Sequence, residues 1–217
     1  MRGINVPHDP AATKGRILDA AFREFAARGV AGARVDHIAA LAQANKESLY
    51  RYFGSKRELL HRVLDRYLDQ QGAALVPDER RLDQYASNLF HFHRRHPELL
   101  RLLVWEGMEV DGDGIDAASV SNRQEHYREK LRAITAQQAA GEIDPELDPR
   151  LLLVLLISLA DHWFVVPQSV RMILGREPTE ADLERYEGFL VECCARLLRP
   201  PPVEVGKGGP AAATGER

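Results

Sequence analysis

The sequence predicts an all-α protein, a small N-terminal unit of three helices followed by a larger helical domain. Three observations carry this. Apolar residues recur at spacings of three and four rather than two, the period of amphipathic helices. Prolines fall at the breaks between these runs, at Pro77, Pro97, Pro145, Pro149, Pro167, Pro178 and Pro200–Pro202 among others. The composition, 45% hydrophobic and 28% charged, is that of an ordinary globular chain, and 217 residues suffice for two unequal domains.

The same features exclude several classes. The longest apolar run, Leu151–Ala160, is about half of what a spanning helix needs. Residues 1–10 lack the apolar stretch of a secretory signal, so a cytoplasmic protein without a membrane partner is expected. Cys193 and Cys194, the only cysteines, are adjacent, which suits reduced packing thiols rather than a disulfide framework or a CxxC metal site. No GxSxG, HExxH, P-loop or dinucleotide fingerprint occurs, so neither an enzyme nor a cofactor is expected. His91, His93 and His96 form a poor metal set, because positions two apart lie on different sides of a helix. Net charge is only −3, yet residues 1–60 hold ten Lys and Arg against six Asp and Glu, leaving 19 against 26 for the remainder. A cationic module joined to an acidic one follows.

Residues 1–11 are expected to be a disordered arm and residues 12–72 the first domain. Its first helix, about 13–28, places Ile17, Leu18, Ala21, Phe22 and Phe25 on one face and stops at Gly29. After a turn, a short helix at 35–42 buries Val35, Ile38 and Ala39. A four-residue connection leads to a third helix, 46–53, capped by Asn45. Two short helices so joined are a helix-turn-helix. Ser55 and Glu58 make a capping box for a fourth helix that runs to about Gln71, long enough to link two domains. The second domain, 78–199, is expected to hold helices at about 78–95, 97–109, 119–140, 149–166 and 179–199. His96 before Pro97 marks one boundary, Gly112 and Gly114 another, and Asp148 before Pro149 is an N-cap. Residues 200–217 offer no apolar face and are expected to be a disordered tail.

A helix that reads DNA must expose hydrogen-bonding side chains near its N-terminus. In the third helix Leu49 and Phe53 anchor the core, leaving Lys46, Glu47, Ser48, Tyr50, Arg51 and Tyr52 for groove and backbone. Lys46 and Arg51 can bond guanine or phosphate, Ser48 can bond either, and Glu47 can accept from a cytosine amine while repelling phosphates. The tyrosines suit phosphate oxygens, and the amides opening the fourth helix, beside Lys56, suit an anion. Arg34, Val35 and Asn45, which frame the two short helices, complete the DNA-facing set.

ILDAAFREFAARGV and VDHIAALAQANKESLYRYFGSKRELLHRVL resemble the N-terminal domain of the tetracycline-repressor (TetR) family of transcription regulators. The most specific piece is LYRYFGSKREL. The resemblance implies that Tyr50 and Tyr52 touch the DNA backbone, Lys56 a phosphate, and Lys46 with its neighbours the bases. Three positions depart from the family: Gln43 stands where its turn usually has glycine, Ala44 where it has valine, and Glu47 where a small residue is common.

The second domain resembles the family's regulatory domain more weakly, through HRRHPELLRLLVWEG and QAAGEIDPELDPRLLLVLLISLADHW. Leu151–Ala160 is apolar almost all round and must be buried on more than one side, either by a second copy or as an internal core helix. The resemblance implies a two-fold dimer, with Leu152, Leu155, Leu156 and Leu159 facing Phe189, Leu190 and Leu197. It also implies a cavity for a small-molecule effector of unknown identity among the middle helices, for which Phe90, His93, Trp105, Glu106, Met108, Glu109, Tyr127, His162 and Trp163 are the candidates. The expected function is therefore a homodimeric repressor released from a palindromic, double-stranded operator by its effector. A regulator made DNA-competent by its ligand, and a helical adaptor that no longer binds DNA, are the alternatives.

Overall fold

The computed structural model describes residues 9–72, 81–108 and 117–200, and ten α-helices with one short 3-10 turn account for nearly all of them. α1 (Pro10–Gly32) starts where Asp9 accepts the amide of Ala11 and Pro10 needs no partner. It thus begins inside the expected N-terminal arm. Gly29 does not end it but kinks it, at φ 69°, and Val30–Gly32 add a further turn. α2 (Val35–Leu41) and α3 (Lys46–Phe53) are the helix-turn-helix. α4 (Lys56–Gly72) follows the expected box, the Ser55 amide donating to Glu58 and the Glu58 amide to Ser55 Oγ.

Ile17, Ala21 and Phe25 of α1, Ile38 of α2, Leu49 of α3, and Leu59, Leu60, Val63 and Leu64 of α4 form the core of this unit. A 3-10 turn (Leu82–Gln84) then opens α5 (Tyr85–Arg95), which packs on α8 (Pro149–Val165). The start of the expected helix, 78–80, lies outside the described residues. α6 (Pro97–Met108), α7 (Ala117–Ala139) and α10 (Glu180–Leu197) complete the body, with Phe90 fully buried against Trp163, Phe164 and Tyr186. Asp148 caps α8 through the amides of Arg150 and Leu151, as its place before Pro149 implies.

One helix was not anticipated. Pro167 does not simply break the chain but opens α9 (Pro167–Leu174), bent 79° from α8. A proline stops one helix and suits the first turn of the next equally well. No single helix among the described residues is long and apolar enough to cross a membrane.

α4 belongs to both parts of the molecule. Its outer face carries Asp65 and His61, which meet Glu106 of α6 and Ser119 and Arg123 of α7 in a buried polar layer. Arg123 donates to both Glu106 oxygens at 2.6 and 3.0 Å and to Asp65 at 3.0 Å, Ser119 donates to the other Asp65 oxygen, and His61 lies 3.7 Å from Glu106. Burial alone would ease the proton off Arg123, but the two carboxylates outweigh it and hold the guanidinium charged. Removing one partner from such a layer strands the others without solvent. Arg123→Ala is expected to lower unfolding free energy by about 3–5 kcal/mol, and Arg123→Lys to recover little, since an ammonium cannot bridge three oxygens in one plane. Urea denaturation of the three proteins measures both.

Candidate nucleic-acid interface

α3 is held from beneath and bare above. Leu49 and Phe53 are buried, the Asn45 side chain accepts the Ser48 amide at 2.7 Å, and Lys46, Glu47, Tyr50 and Arg51 are exposed along the outer face. Asn45 is therefore the cap that sets where the helix begins. Ser48 corrects the sequence reading: it is buried, because it follows Leu49 round to the inner side, and its hydroxyl accepts from Arg51 at 3.2 Å. It positions Arg51 rather than facing outward. Tyr52 is half-buried, its ring between Lys14 Nζ at 5.3 Å and the Arg51 guanidinium at 5.1 Å. Such contacts are worth roughly 0.5–1 kcal/mol each and fix both cations at the edge of the surface.

The remaining cations are also held. Lys46 Nζ sits 2.9 Å from Asp36 of α2, and this bond raises the lysine's pKa and lowers the carboxyl's. Lys56 donates to the carbonyls of Ala31 and Ala33 at 3.3 and 3.4 Å, tying the start of α4 to the end of α1. Arg34 is exposed at the cap of α2 and Val35 is half-buried beside it.

The turn between α2 and α3 keeps its geometry without glycine. Gln43 adopts φ 51°, the Gln43 amide donates to Ala40 and the Ala44 amide to Ala39, which is a Schellman close of α2. Arg16 Nε adds a bond to the Ala42 carbonyl at 3.0 Å.

Glu24, which the sequence reading passed over, joins α1 to α2. It is buried, accepts the Arg34 amide at 3.2 Å and His37 Nδ1 at 2.6 Å, and pairs with Arg28 at 3.3 Å. Burial pushes this carboxyl up, but the bonds from His37 and Arg34, with the charges of His37 and Arg28, bring it below its ordinary value. The signal was an acid one turn after Ala20 and Ala21, next to Phe25, on the apolar face of α1.

Against known proteins, residues 17–63 match the model described as bacterial regulatory proteins, tetR family, and residues 81–196 match the tetracyclin repressor-like C-terminal domain. The chain belongs to the TetR family. It is 42% identical over 167 residues to the HTH-type transcriptional repressor SCO4008 of Streptomyces coelicolor, covering 77% of this chain and 86% of that protein. It is 30% identical to the HTH-type transcriptional repressor NicS of Pseudomonas putida over 63% of this chain and 62% of NicS. The crystal structure of the transcriptional regulator SCO4942 from Streptomyces coelicolor superposes with a TM-score of 0.69 at 31% identity, covering 87% of this chain and 99% of that one. This TetR-family chain is thus a DNA-binding regulator, of a family that is not enzymatic.

The candidate effector residues separate into groups. Trp105 and Trp163 line one groove. Phe90 and His93 are interior; His93 Nε2 lies 2.9 Å from Asp161 Oδ1 but is not aligned to bond it, and His93 Nδ1 and Tyr85 Oη are buried without a hydrogen-bond partner among the described residues. Lys130 stands over the rings of Tyr85 and Tyr127, its pKa pushed down by burial. Glu106 is committed to Arg123, which corrects its assignment to a cavity, and Met108 and His162 lie on the outer surface. Glu109 is outside the described residues. No three His, Cys, Asp or Glu side chains among the described residues converge as metal ligands; His91, His93 and His96 turn to Glu187, Asp161 and Glu98.

Two outcomes check this geometry. Gln43→Gly is expected to stabilise the protein by about 1 kcal/mol, because glycine adopts a positive φ without the Cβ penalty, and to raise Tm by roughly 2–4 °C in calorimetry. Glu24→Gln is expected to cost roughly 1.5–3 kcal/mol at neutral pH. Since the folded pKa of Glu24 lies below the ordinary 4.5, its contribution is complete above about 4.5 and is lost as pH falls through the lowered value. The difference between wild type and Glu24→Gln in urea should therefore shrink on acidification below that point, and a difference that persists would contradict it.

Proposed function

We propose that the protein is a homodimeric repressor that binds a near-palindromic operator through α3 and leaves it when a small molecule occupies the domain built from α5–α10. The observation that carries the DNA contact is the exposed row Lys46, Glu47, Tyr50 and Arg51 above a firmly capped and buried inner face. SCO4008 and NicS are both named repressors, which supports repression over activation.

A dimer is supported by an apolar stripe that one protomer leaves uncovered. Leu151, Val154 and Leu155 of α8 are 70, 61 and 43% exposed, and Phe189 and Leu197 of α10 are 55 and 40% exposed. Spacings of three and four put the α8 residues on one side of that helix, and a second copy of the same surface covers it by two-fold symmetry. The interface assigned from sequence is corrected in part: Leu152, Leu156 and Leu190 fill the protomer's own core, and Leu159 is half-buried, so the outward set is the neighbouring one. Paired heads would sit one or more DNA turns apart, roughly 34–36 Å each. Release requires only that the effector bind the DNA-incompetent spacing better than the competent one.

Selection from random duplexes is expected to return an inverted repeat, and the Lys46→Ala, Tyr50→Ala double variant to bind the selected duplex at least about tenfold more weakly with a smaller salt slope. A single asymmetric half-site would rule out the paired heads, and unchanged binding by the double variant would rule out α3 as the reader.

A further inference from the structure

A groove lies between α6 and α8, bordered by the start of α9. It encloses about 390 Å³, and its walls are Trp105 and Val104 of α6, Trp163 and Phe164 of α8, and Pro167 of α9. The chain has only two tryptophans, and both are here. Large flat side chains left open to solvent are the usual walls of a site for a flat apolar molecule. The charged group on the wall is Arg101, one turn before Trp105. It is exposed, and among the described residues it makes no hydrogen bond or ion pair. No Asp or Glu is among the lining residues. The volume lies at the small end of ligand pockets, enough for one or two rings.

Trp105 also has a second contact, on the DNA-binding side. Gly29 is at φ 69°, and a Cβ there would come 3.2 Å from the indole, so the ring packs closely against the kink of α1. The Gly29 carbonyl accepts the Ala33 amide, and Arg34 next in line caps α2. The Lys56 bonds to Ala31 and Ala33 tie this same turn to α4. One indole therefore forms a wall of the groove and the seat of the segment that aims α2 and α3.

We propose that this groove binds a small aromatic carboxylate, its ring between the tryptophans and its carboxylate on Arg101, and that Trp105 transmits occupancy to the helix-turn-helix through Gly29. The proposal rests on the reading of an effector-released repressor and names the effector's class and site. A ring stacked on Trp105 from the groove bears on an indole whose opposite neighbour is Gly29, where there is no room even for a Cβ, so any displacement of the indole toward α1 meets the kink directly.

The test uses the full-length protein labelled with 5-fluorotryptophan, which gives one fluorine resonance for each tryptophan. 2-Naphthoate should shift both resonances saturably, and 2-naphthamide, the same body without the charge, should bind at least about tenfold more weakly. Arg101→Gln should reduce naphthoate to the level of the amide. In parallel, the ratio of operator affinity without and with saturating naphthoate should exceed one in wild type and fall to one in Trp105→Leu while binding is still detected at Trp163. Equal binding of acid and amide, indifference to Arg101→Gln, or no shift up to millimolar naphthoate would overturn the ligand class. Binding heat that survives Arg101→Gln but is lost in Lys130→Met would place the ligand in the interior cluster instead, and fluorine shifts that follow protein concentration alone would make the groove an interface between copies. A protein that shows the fluorine shifts but binds no operator would retain the site and refute the repressor.

Discussion

The layer around Arg123 is the constraint on which the rest depends. α4 is the fourth wall of the helix-turn-helix unit through Leu59, Leu60, Val63 and Leu64, and the opposite side of the same helix carries Asp65 into contact with Arg123. One rigid rod therefore serves two cores. A purely apolar seam there would hold the parts together at less desolvation cost, but it would tolerate sliding. A guanidinium bonded to Glu106 of α6 and Asp65 of α4 does not, because small displacements misalign three charge-assisted bonds at once. α4, α6 and α7 are thereby tied to one another at a single side chain.

A second junction, at the far end of α1, is built differently. There Gly29 meets Trp105 by shape, while Glu24 gathers Arg28, the Arg34 amide and His37 by charge. Shape sets how α1 lies on α6, and charge sets how α2 leaves α1. The helix-turn-helix unit is thus held to the body through Gly29 on α1 and Asp65 on α4, and neither contact involves α3. The reading helix can keep its own geometry while its placement is decided elsewhere.

Much of this was legible from the chain itself. Three-and-four periodicity, the Asn45 and Asp148 caps and the Ser55–Glu58 box locate α2, α3, α4 and α8 to within a residue or two, because each signal is local. What escaped was non-local. Pro167 reads as an end, and the helix it opens has only 8 residues, too few to show a clear period of their own; the burial of Val170 against the body is the non-local part. Ser48 looks outward by type, and only its place beside Leu49 turns it in. Leu152 and Leu155 are indistinguishable by composition, yet one lies in the core and the other on the surface, since an all-apolar helix carries no mark of which side its own protomer covers. Glu24 was visible as an acid on an apolar face, but the two partners that join it to α2 are ten and thirteen residues away.

The interface itself is pre-satisfied. Lys46 is bonded to Asp36, Lys56 to two carbonyls, and Arg51 to Ser48 and the face of Tyr52, so these cations are held in place before any nucleic acid arrives. A phosphate or base edge must replace one partner by another rather than fill an empty valence. The gain from simple attraction is smaller in such an exchange, and the outcome turns on whether the incoming acceptor lies where the outgoing one was. Asp36 would sharpen this further on the proposed docking: were Lys46 to leave it, an exposed carboxylate would face the DNA, repelling phosphate and favouring a donor such as a cytosine amine. Glu47, beside it in the helix, adds a second acceptor of the same kind. On the proposed docking of α3, two acids flanking the lysine would disfavour arbitrary DNA and favour sequences that offer donors opposite them, so carboxylates at the start of the helix are compatible with its reading DNA.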